Sequence, residues 1–241
     1  MAQTIKPMRR AIFAGIVVLV TLAAAAPFAR AGDSGQLSGR VIVTGTWARP
    51  KPHPVFKNRS FCGANVANET FQIDHDGGLR NAAVIMQPVT HAPVVPAQIS
   101  LDNQNCAFVP HVQIAPVGSE LLLKNSDPIL HTVHARMGRE TLFNVGLPKW
   151  RRVTKSLTRV GIVRVDCDVL HTWMSAAIVV VATPYHGLTD GRGEFHIPMV
   201  PVGEYRVDIW HEKLGSQSTR VVIAPGVTAV LEVVYRANAA P

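Results

Sequence analysis

The chain has 241 residues and a formal net charge of +8, with 47% apolar and 17% charged residues. That apolar fraction is ordinary for a globular protein and excludes a wholly disordered chain. Because the chain contains 17 prolines and 18 glycines, long uninterrupted helices are not expected.

The first predicted element, residues 1–31, has the pattern of a secretory signal peptide. Basic residues precede an apolar run over 11–26, and the small-residue cleavage site ARA follows at 29–31. The run is short for a membrane span, so an uncleaved anchor is the less favoured alternative. Removing 1–31 removes four basic residues and no acidic ones, so the formal charge falls from +8 to +4. We expect a periplasmic or secreted protein with no membrane span after cleavage and no affinity for nucleic acid.

The rest of the chain is predicted to be all-β. Short apolar runs, alternating or rich in β-branched residues, are separated by turn residues, which is typical of sandwiches. The predicted strands are 37–44, 77–87, 112–114, 120–124, 161–165, 177–181, 194–197, 205–209, 219–223 and 227–235. Residues 88–96 contain three prolines and are predicted to be a linker. Residues 136–156 show no clear period and are predicted to be a long loop.

Residues 167–174 (CDVLHTWM) place a thiol, an imidazole and a thioether on one loop after a predicted strand. Thiolate, imidazole and thioether together match the ligand preference of copper. A second histidine is needed to complete the His₂Cys site with a weak axial Met that defines type 1 copper. The alternative is that Cys167, His171 and Met174 only pack one end of a sandwich, since Cys and Met are commonly buried.

A second pattern lies upstream of this loop. The segments AFVP (107–110) and IAPVG (114–118) are followed by a predicted strand, by Asn125 and by His131. Together with the loop at 167–174, this order resembles the plastocyanin and amicyanin branch of the cupredoxins, over about residues 98–182.

The resemblance implies a cupredoxin Greek-key sandwich at 96–183. It also implies one mononuclear type 1 copper, bound by His131, Cys167 and His171 with Met174 in the axial position. His134 comes three residues after His131 in a strand-like segment, so it is expected to face the opposite side.

Two features depart from the cupredoxin pattern. The loop spacing is C-x₃-H-x₂-M, whereas the close relatives have C-x₂-H-x₂-M, so Val169 or Leu170 is an extra residue. The longer spacing also occurs in binuclear copper domains, but these need a second cysteine where this chain has Val163. In addition, Thr132 stands where cupredoxins have an Asn whose amide ties the ligand loops together.

The chain has three cysteines. Once the resemblance assigns Cys167 to copper, Cys62 and Cys106 remain. Export to an oxidising compartment favours a disulfide between them. The alternative, two unpaired thiols, is not favoured after export.

The C-terminal segment has a regular order of turns and strands, TDGRGEFHI (189–197) and then VPVGEY (200–205). This order resembles the carboxypeptidase regulatory-like (transthyretin-like) β-sandwich, and we assign 184–241 to such a module. The resemblance implies a structural or binding unit and argues against an enzyme. Residues 32–95 form an N-terminal β segment too small to fold alone, so we expect it to complete the C-terminal sandwich, with the cupredoxin inserted between the two. The rival is that 37–87 adds strands to the cupredoxin; pairing of 40–43 or 82–85 with 207–209 or 230–234 distinguishes the two.

The resemblances imply an exported one-electron carrier with a transient redox partner such as a c-type cytochrome. His171 is the expected exposed electron port, within an apolar rim formed by Ile129, Leu130, Leu147, Pro148, Leu170 and Trp173. Two alternatives stay open: a copper-binding or copper-handling protein without electron transfer, and a metal-free module that binds a protein or a carbohydrate.

Overall fold

The computed structural model describes residues 34–88 and 92–237. The predicted signal peptide at 1–31 and part of the predicted linker at 88–96 lie outside these residues. Residues 92–96 have no regular secondary structure. Within the described ranges, no helix has the length and apolar character needed to cross a membrane.

The structure is all-β, as predicted. One short helix, α1 (Arg59–Cys62), lies between β2 and β3. The strands are β1 (Ser34–Gly45), β2 (His53–Pro54), β3 (Asn65–Val66), β4 (Ala83–Pro88), β5 (Gln98–Gln104), β6 (Ala107–Val109), β7 (Val112–Pro116), β8 (Glu120–Asn125), β9 (His131–Met137), β10 (Glu140–Leu147), β11 (Arg152–Ser156), β12 (Gly161–Asp166), β13 (Ser175–Val181), β14 (His186–Leu188), β15 (Glu194–Pro201), β16 (Gly203–His211), β17 (Gly215–Ile223) and β18 (Thr228–Ala237).

Strands β5 to β13 form one β-sandwich, called the middle sandwich below. Its sheets have the strand orders β10-β9-β12-β13-β7 and β11-β8-β5-β6. The alternating burial of β9 and β12 points every second side chain between the sheets, as the two-residue period of a strand requires. Large buried side chains such as Leu101, Phe108, Leu123 and Ile178 fill the space between the sheets.

The remaining long strands form the outer sandwich. Its sheets have the orders β15-β1-β18 and β14-β4-β16-β17. Its separate core includes Leu37, Leu79, Met86, Val207 and Ile209. Each sandwich therefore has an apolar core of its own.

The first and last parts of the chain pair as the insertion arrangement predicts. Val41 of β1 is opposite Val233 of β18, and Val84 of β4 is opposite Ile209 of β16. The rival arrangement fails for the described strands, because β1 and β4 pair only with strands of the outer sandwich. The chain leaves the outer sandwich after β4 and returns at β14, where the Met86 N–H donates to the Tyr185 carbonyl at 2.9 Å.

The two sandwiches meet through strands that are buried on both faces. In β13, Ile178 and Val180 belong to the middle core, whereas Val179 and Val181 pack toward the outer sandwich. Their neighbours in the contact include Ala83, Ile85, Val112 and Trp210. This explains the continuous apolar run of β13, since a strand covered on both faces does not alternate.

A buried polar pair crosses the same contact. His111 lies just before β7, and its ring nitrogens face the Ser175 carbonyl at 3.0 Å and the Glu212 carboxylate. Both partners are acceptors, so the ring donates from both nitrogens and carries a positive charge. Burial opposes that charge, but the Glu212 carboxylate raises the pKa of His111 above its ordinary value. The His111 ring thereby links Glu212, in the turn after β16, to Ser175, the residue that follows Met174.

The predicted long loop at 136–156 is wrong. This range contains the whole of two strands, β10 and β11, each at the edge of its sheet. About half of their side chains face solvent, and polar residues such as Arg152 and Thr154 occupy these positions. An edge strand with polar side chains resembles a loop in sequence, because only one of its faces is buried.

Candidate metal centre

The loops that follow β8, β10 and β12 gather at one end of the middle sandwich, together with the β5–β6 turn. We call this end the loop end. A segment of the N-terminal region, residues 53–66, crosses it and is called the strap. Val55 of the strap is buried in the middle core, and Cys62 forms a disulfide with Cys106 of the β5–β6 turn. The predicted disulfide is therefore present, and it fixes the strap to the loop end.

Three of the predicted ligands come together beneath the strap. The Cys167 sulfur lies 3.9 Å from Nδ1 of His131 and 3.7 Å from Nδ1 of His171. The two Nδ1 atoms are 3.0 Å apart. All three side chains are buried, and they are the one buried group of His, Cys or acidic side chains with metal-binding spacing among the described residues.

An oxygen acceptor holds the outer nitrogen of each imidazole. Nε2 of His131 donates to Asp127 Oδ2 at 2.9 Å, and Nε2 of His171 donates to Asn58 Oδ1 at 2.8 Å. A proton on Nε2 leaves the lone pair on Nδ1, so both Nδ1 atoms are free to bind a metal beside the Cys167 sulfur. Oxygen partners of this kind commonly orient metal-bound histidines.

Asp127 also organises the backbone around the centre. Its two carboxylate oxygens accept the Asn105 N–H at 2.7 Å and the Cys106 N–H at 2.8 Å. Asn125 donates to the carbonyls of Ile129 at 2.8 Å and Leu147 at 2.7 Å, which joins two loops. The sequence analysis did not identify Asp127, although an acidic residue four positions before His131 is a usable signal.

The electrostatics of the site favour the metal-binding forms of Cys167 and His171 but not that of His131. Burial raises the pKa of Cys167, but the neighbouring His131 ring and the Thr132 N–H lower it below its ordinary value. Burial, together with the positive charges of His131 and Lys57, lowers the pKa of His171 to about 4. For His131, burial is outweighed by the bonds to Asp127 and Cys167, which raise its pKa. A thiolate and a neutral imidazole are the forms that ligate metals.

Thr132 links the two segments that carry the predicted ligands, although it replaces the expected Asn. Its N–H lies 3.4 Å from the Cys167 sulfur, and its hydroxyl accepts the Asp168 N–H at 2.6 Å. The hydroxyl therefore links β9 to the loop that begins at Cys167. His134 lies on the other face of β9, where it contacts Thr141 at 2.8 Å and Asp168 at 2.9 Å.

The extra loop residue is accommodated by a left-handed turn. Leu170 has φ 66° and is 65% exposed, so it bulges into solvent while His171 returns to the site. The Met174 N–H then donates to the His171 carbonyl at 2.9 Å. Met174 is buried in the same core as Cys167, and the two residues line one shallow surface pocket.

The expectation of an exposed His171 is wrong. His171 is only 1% exposed because the strap covers it and Asn58 bonds to its outer nitrogen. Leu147 and Trp173 of the predicted rim are buried as well, and the Trp173 Nε1–H donates to the Cys106 carbonyl at 2.9 Å. Leu130, Pro148 and Leu170 are exposed as predicted, and Ile129 is half-buried.

The donor set fits a soft metal ion of the copper type. One thiolate and two imidazole nitrogens converge in a buried position, with a thioether on the same loop, and this set matches copper better than a hard cation. A second cluster, Asp74, His75 and Asp76, is largely exposed. The Asp74 carboxylate already bonds to Arg40 and to the Asp76 and Gly78 N–H groups, which accounts for its position without a metal.

No protein-family model matches the chain, and a search of curated proteins finds no match. Solved structures match it in part. The copper-containing nitrite reductase NirK from Thermus scotoductus SA-01 aligns at TM-score 0.34 and 22% identity, over 40% of this chain and 26% of that one. A purple cupredoxin from Nitrosopumilus maritimus aligns at 0.31 and 23%, over 35% and 99%. An amicyanin variant in its reduced state aligns at 0.32 and 19%, over 42% and 99%. The chain thus spans about a quarter of the nitrite reductase.

Proposed function

We propose that the protein is an exported copper protein that transfers single electrons between redox partners. Its one mononuclear type 1 site would use His131, Cys167 and His171 as ligands and Met174 as the axial group. The observation that supports this most directly is the convergence of one sulfur and two Nδ1 atoms within 3.9 Å, with both Nε2 atoms held by oxygen acceptors.

Bound copper would supply a one-electron couple between Cu(I) and Cu(II). The protein's part is to keep the ligand positions fixed and dry. Asp127 and Asn58 fix the two rings, and Thr132 fixes the thiolate loop. Ligands that do not move reduce the reorganisation that accompanies a change of charge.

The proposal extends to the rest of the chain. Residues 1–31 would direct export to the periplasm or outside the cell, where the Cys62–Cys106 disulfide persists. Residues 96–183 would be the cupredoxin domain, and 32–95 with 184–241 would form a carboxypeptidase regulatory-like module of structural or binding role. As a carrier, the protein would not itself be an enzyme, and its partner would be a redox protein such as a c-type cytochrome.

A second candidate is copper binding or delivery without electron transfer. The covered His171 favours it, because no ligand ring reaches the surface to pass an electron directly. The rate at which ferricyanide oxidises the Cu(I) form separates the two functions. A carrier is oxidised rapidly and reversibly, whereas a storage or delivery protein reacts slowly or releases the ion.

The deciding experiment is a visible and electron-paramagnetic spectrum of the protein with one equivalent of Cu(II). We expect an intense thiolate-to-copper band that is lost in Cys167→Ser and in His131→Gln. His134→Gln is the matched control for His131→Gln, because it changes a histidine on the other face of the same strand. Met174→Leu should keep the band and raise the reduction potential, since the axial ligand is weak. An unchanged band in Cys167→Ser would contradict the assignment.

A further inference from the structure

We propose that the loop end and the strap together form a docking surface for the acidic face of a partner protein. The inference rests on the proposed function, because it names the class of protein surface that the redox partner would present.

The charge at the loop end is unbalanced. Its acidic side chains are paired within the molecule: Asp102 with Lys124 at 3.2 Å, Asp127 with His131 and Asp168 with His134. On the strap and around the loop end, five exposed basic side chains have no acidic group of the described chain within ion-pair distance; they are Lys57, Arg59, Lys149, Arg151 and Arg152. A surface with this excess attracts an acidic partner and repels a basic one.

The basic side chains lie at both edges of one sheet. The loop with Lys149 and Arg151 leads into β11, and the strap is bonded to the turn before β6 through Cys106. Two strands separate β11 from β6, so the two edges are about 14 Å apart at usual strand spacing. A typical protein contact of about 800 Å² per partner is roughly 30 Å across and covers both edges.

Exposed apolar side chains accompany the charges. Phe56 is 76% exposed, Trp150 69% and Leu130 50%, and the Lys149 ammonium lies 5.3 Å from the centre of the Trp150 ring. Aromatic side chains are enriched where proteins bind one another, and scattered charges around them steer the encounter. The mixture therefore suits a protein surface better than a small anion.

The strap connects this surface with the proposed electron transfer, because it covers the predicted copper site. Because Asn58 covers His171, a partner that approaches the centre meets Phe56 and Lys57 before any ligand ring. Val55 and Cys62 fix the strap on either side of Asn58. Docking on a segment that is already ordered costs little conformational entropy.

The test uses copper-free protein and a basic c-type cytochrome in two forms, native and with its lysines succinylated to carboxylates. Binding is measured by calorimetry at low ionic strength, about 0.01 M, where screening is weak over about 30 Å. We expect wild-type protein to bind the succinylated form and not the native one. Lys57→Glu/Arg59→Glu and Lys149→Glu/Arg151→Glu should each weaken binding about tenfold or more, since both place like charges in the contact.

Arg220→Glu/Arg236→Glu is the matched control, since it makes the same change of net charge at exposed positions on the outer sandwich. Its affinity should stay within about twofold of wild type, because these positions lie outside the contact. Equal weakening by the control, unchanged binding in both surface variants, or tighter binding to duplex DNA than to the succinylated cytochrome would overturn the proposal.

The two proposals fail separately. A missing copper band would refute the type 1 site, whereas the docking measurement uses protein without copper. If the surface variants keep the copper band and lose the succinylated cytochrome, the docking surface is supported and the centre is intact.

Discussion

Asn58 Oδ1 lies 2.8 Å from Nε2 of His171, although 113 positions separate the two residues. Asn58 has the left-handed backbone conformation, φ 57°, and its side chain does not cap α1 although it stands at the N-cap position. The left-handed turn thus directs the amide to the His171 ring. Removing the amide should loosen this ring, so the proposed copper site predicts that Asn58→Gly lowers Cu(II) affinity about 10- to 100-fold, the usual effect of losing a partner of a ligating histidine. Competition with a chelator of known affinity measures the change.

Glycine is the informative replacement because it adopts a positive φ without strain, so only the acceptor is lost. Asn58→Asp keeps an oxygen acceptor and tolerates the same backbone, and it should retain most of the affinity. Nitrogen NMR of the copper-free protein should show His171 protonated on Nε2 in wild type and a mixture of tautomers in Asn58→Gly. Unchanged affinity in the glycine variant would show that the bond does not position the ring.

The Cys62–Cys106 disulfide should contribute strongly to stability. It closes a loop with a sequence separation of 44 residues, for which the chain-entropy estimate is about 4 kcal/mol. We expect Cys62→Ala/Cys106→Ala to lose about that much free energy of unfolding in urea, because the unfolded chain is no longer restricted. Reduced wild-type protein is the control and should match the double variant.

Peptide mapping without reduction checks the pairing itself. Cys62 and Cys106 should appear in one linked pair. The buried thiol of Cys167 should be alkylated only after the copper-free protein is unfolded. Alkylation of Cys62 or Cys106 in unreduced protein would refute the pairing.

The loop at 167–174 is predictable from sequence, because Cys, His and Met have recognisable ligand chemistry and lie close together in the chain. The disulfide follows only after the resemblance assigns Cys167 to copper, which leaves Cys62 and Cys106. The cover over His171 is not predictable in either way. Asn58 reaches the site only because the outer sandwich brings the N-terminal segment back across an inserted sandwich, and no local period records such a contact. The same limit applies to Leu170, whose left-handed turn restores His171 to the site despite the longer spacing.

The strands also divide into those that the sequence predicts and those that it does not. Runs such as β4 and β13 are easily found because both of their faces are buried, which gives them continuous apolar sequences. The edge strands β10 and β11 were missed because solvent covers half of their side chains and a neighbouring strand lies on one side only. Pairing of the two chain ends was predictable from size, since neither segment supplies a sufficient core alone.

His211 should make the protein less stable in acid. It is 1% exposed, and burial, opposed by Glu212 and reinforced by the charge of His111, lowers its pKa to about 4. An unfolded histidine has a pKa near 6.5. Between these values the unfolded chain binds a proton that the folded chain does not, so stability falls as pH falls from about 6.5 to about 4. The loss attributable to this residue is about 3 kcal/mol.

Urea unfolding of copper-free protein at a series of pH values between these limits measures the effect. His211→Gln should flatten the dependence by about 3 kcal/mol over the range, because the group that titrates is gone. His75→Gln is the matched control, since it removes an exposed histidine instead of a buried one. An equally steep dependence in His211→Gln would contradict the assignment to His211.

The proposed division into domains predicts that the outer sandwich folds without the middle one. The ends of the insertion are adjacent, because Met86 bonds to Tyr185 at 2.9 Å, so a short Gly-Ser linker can replace residues 89–183. About 110 described residues remain, a common domain size, and they keep their own apolar core. The excision exposes Ile85 and Trp210, which pack against the middle sandwich in the whole protein, so the shortened chain should carry Ile85→Thr and Trp210→Thr for solubility.

We expect the shortened chain to show one cooperative thermal transition and a β-type circular dichroism spectrum. The full-length Ile85→Thr/Trp210→Thr protein is the control and should be less stable than wild type, because the contact between sandwiches is weakened. A shortened chain without a cooperative transition would show that the outer strands need the middle sandwich to fold.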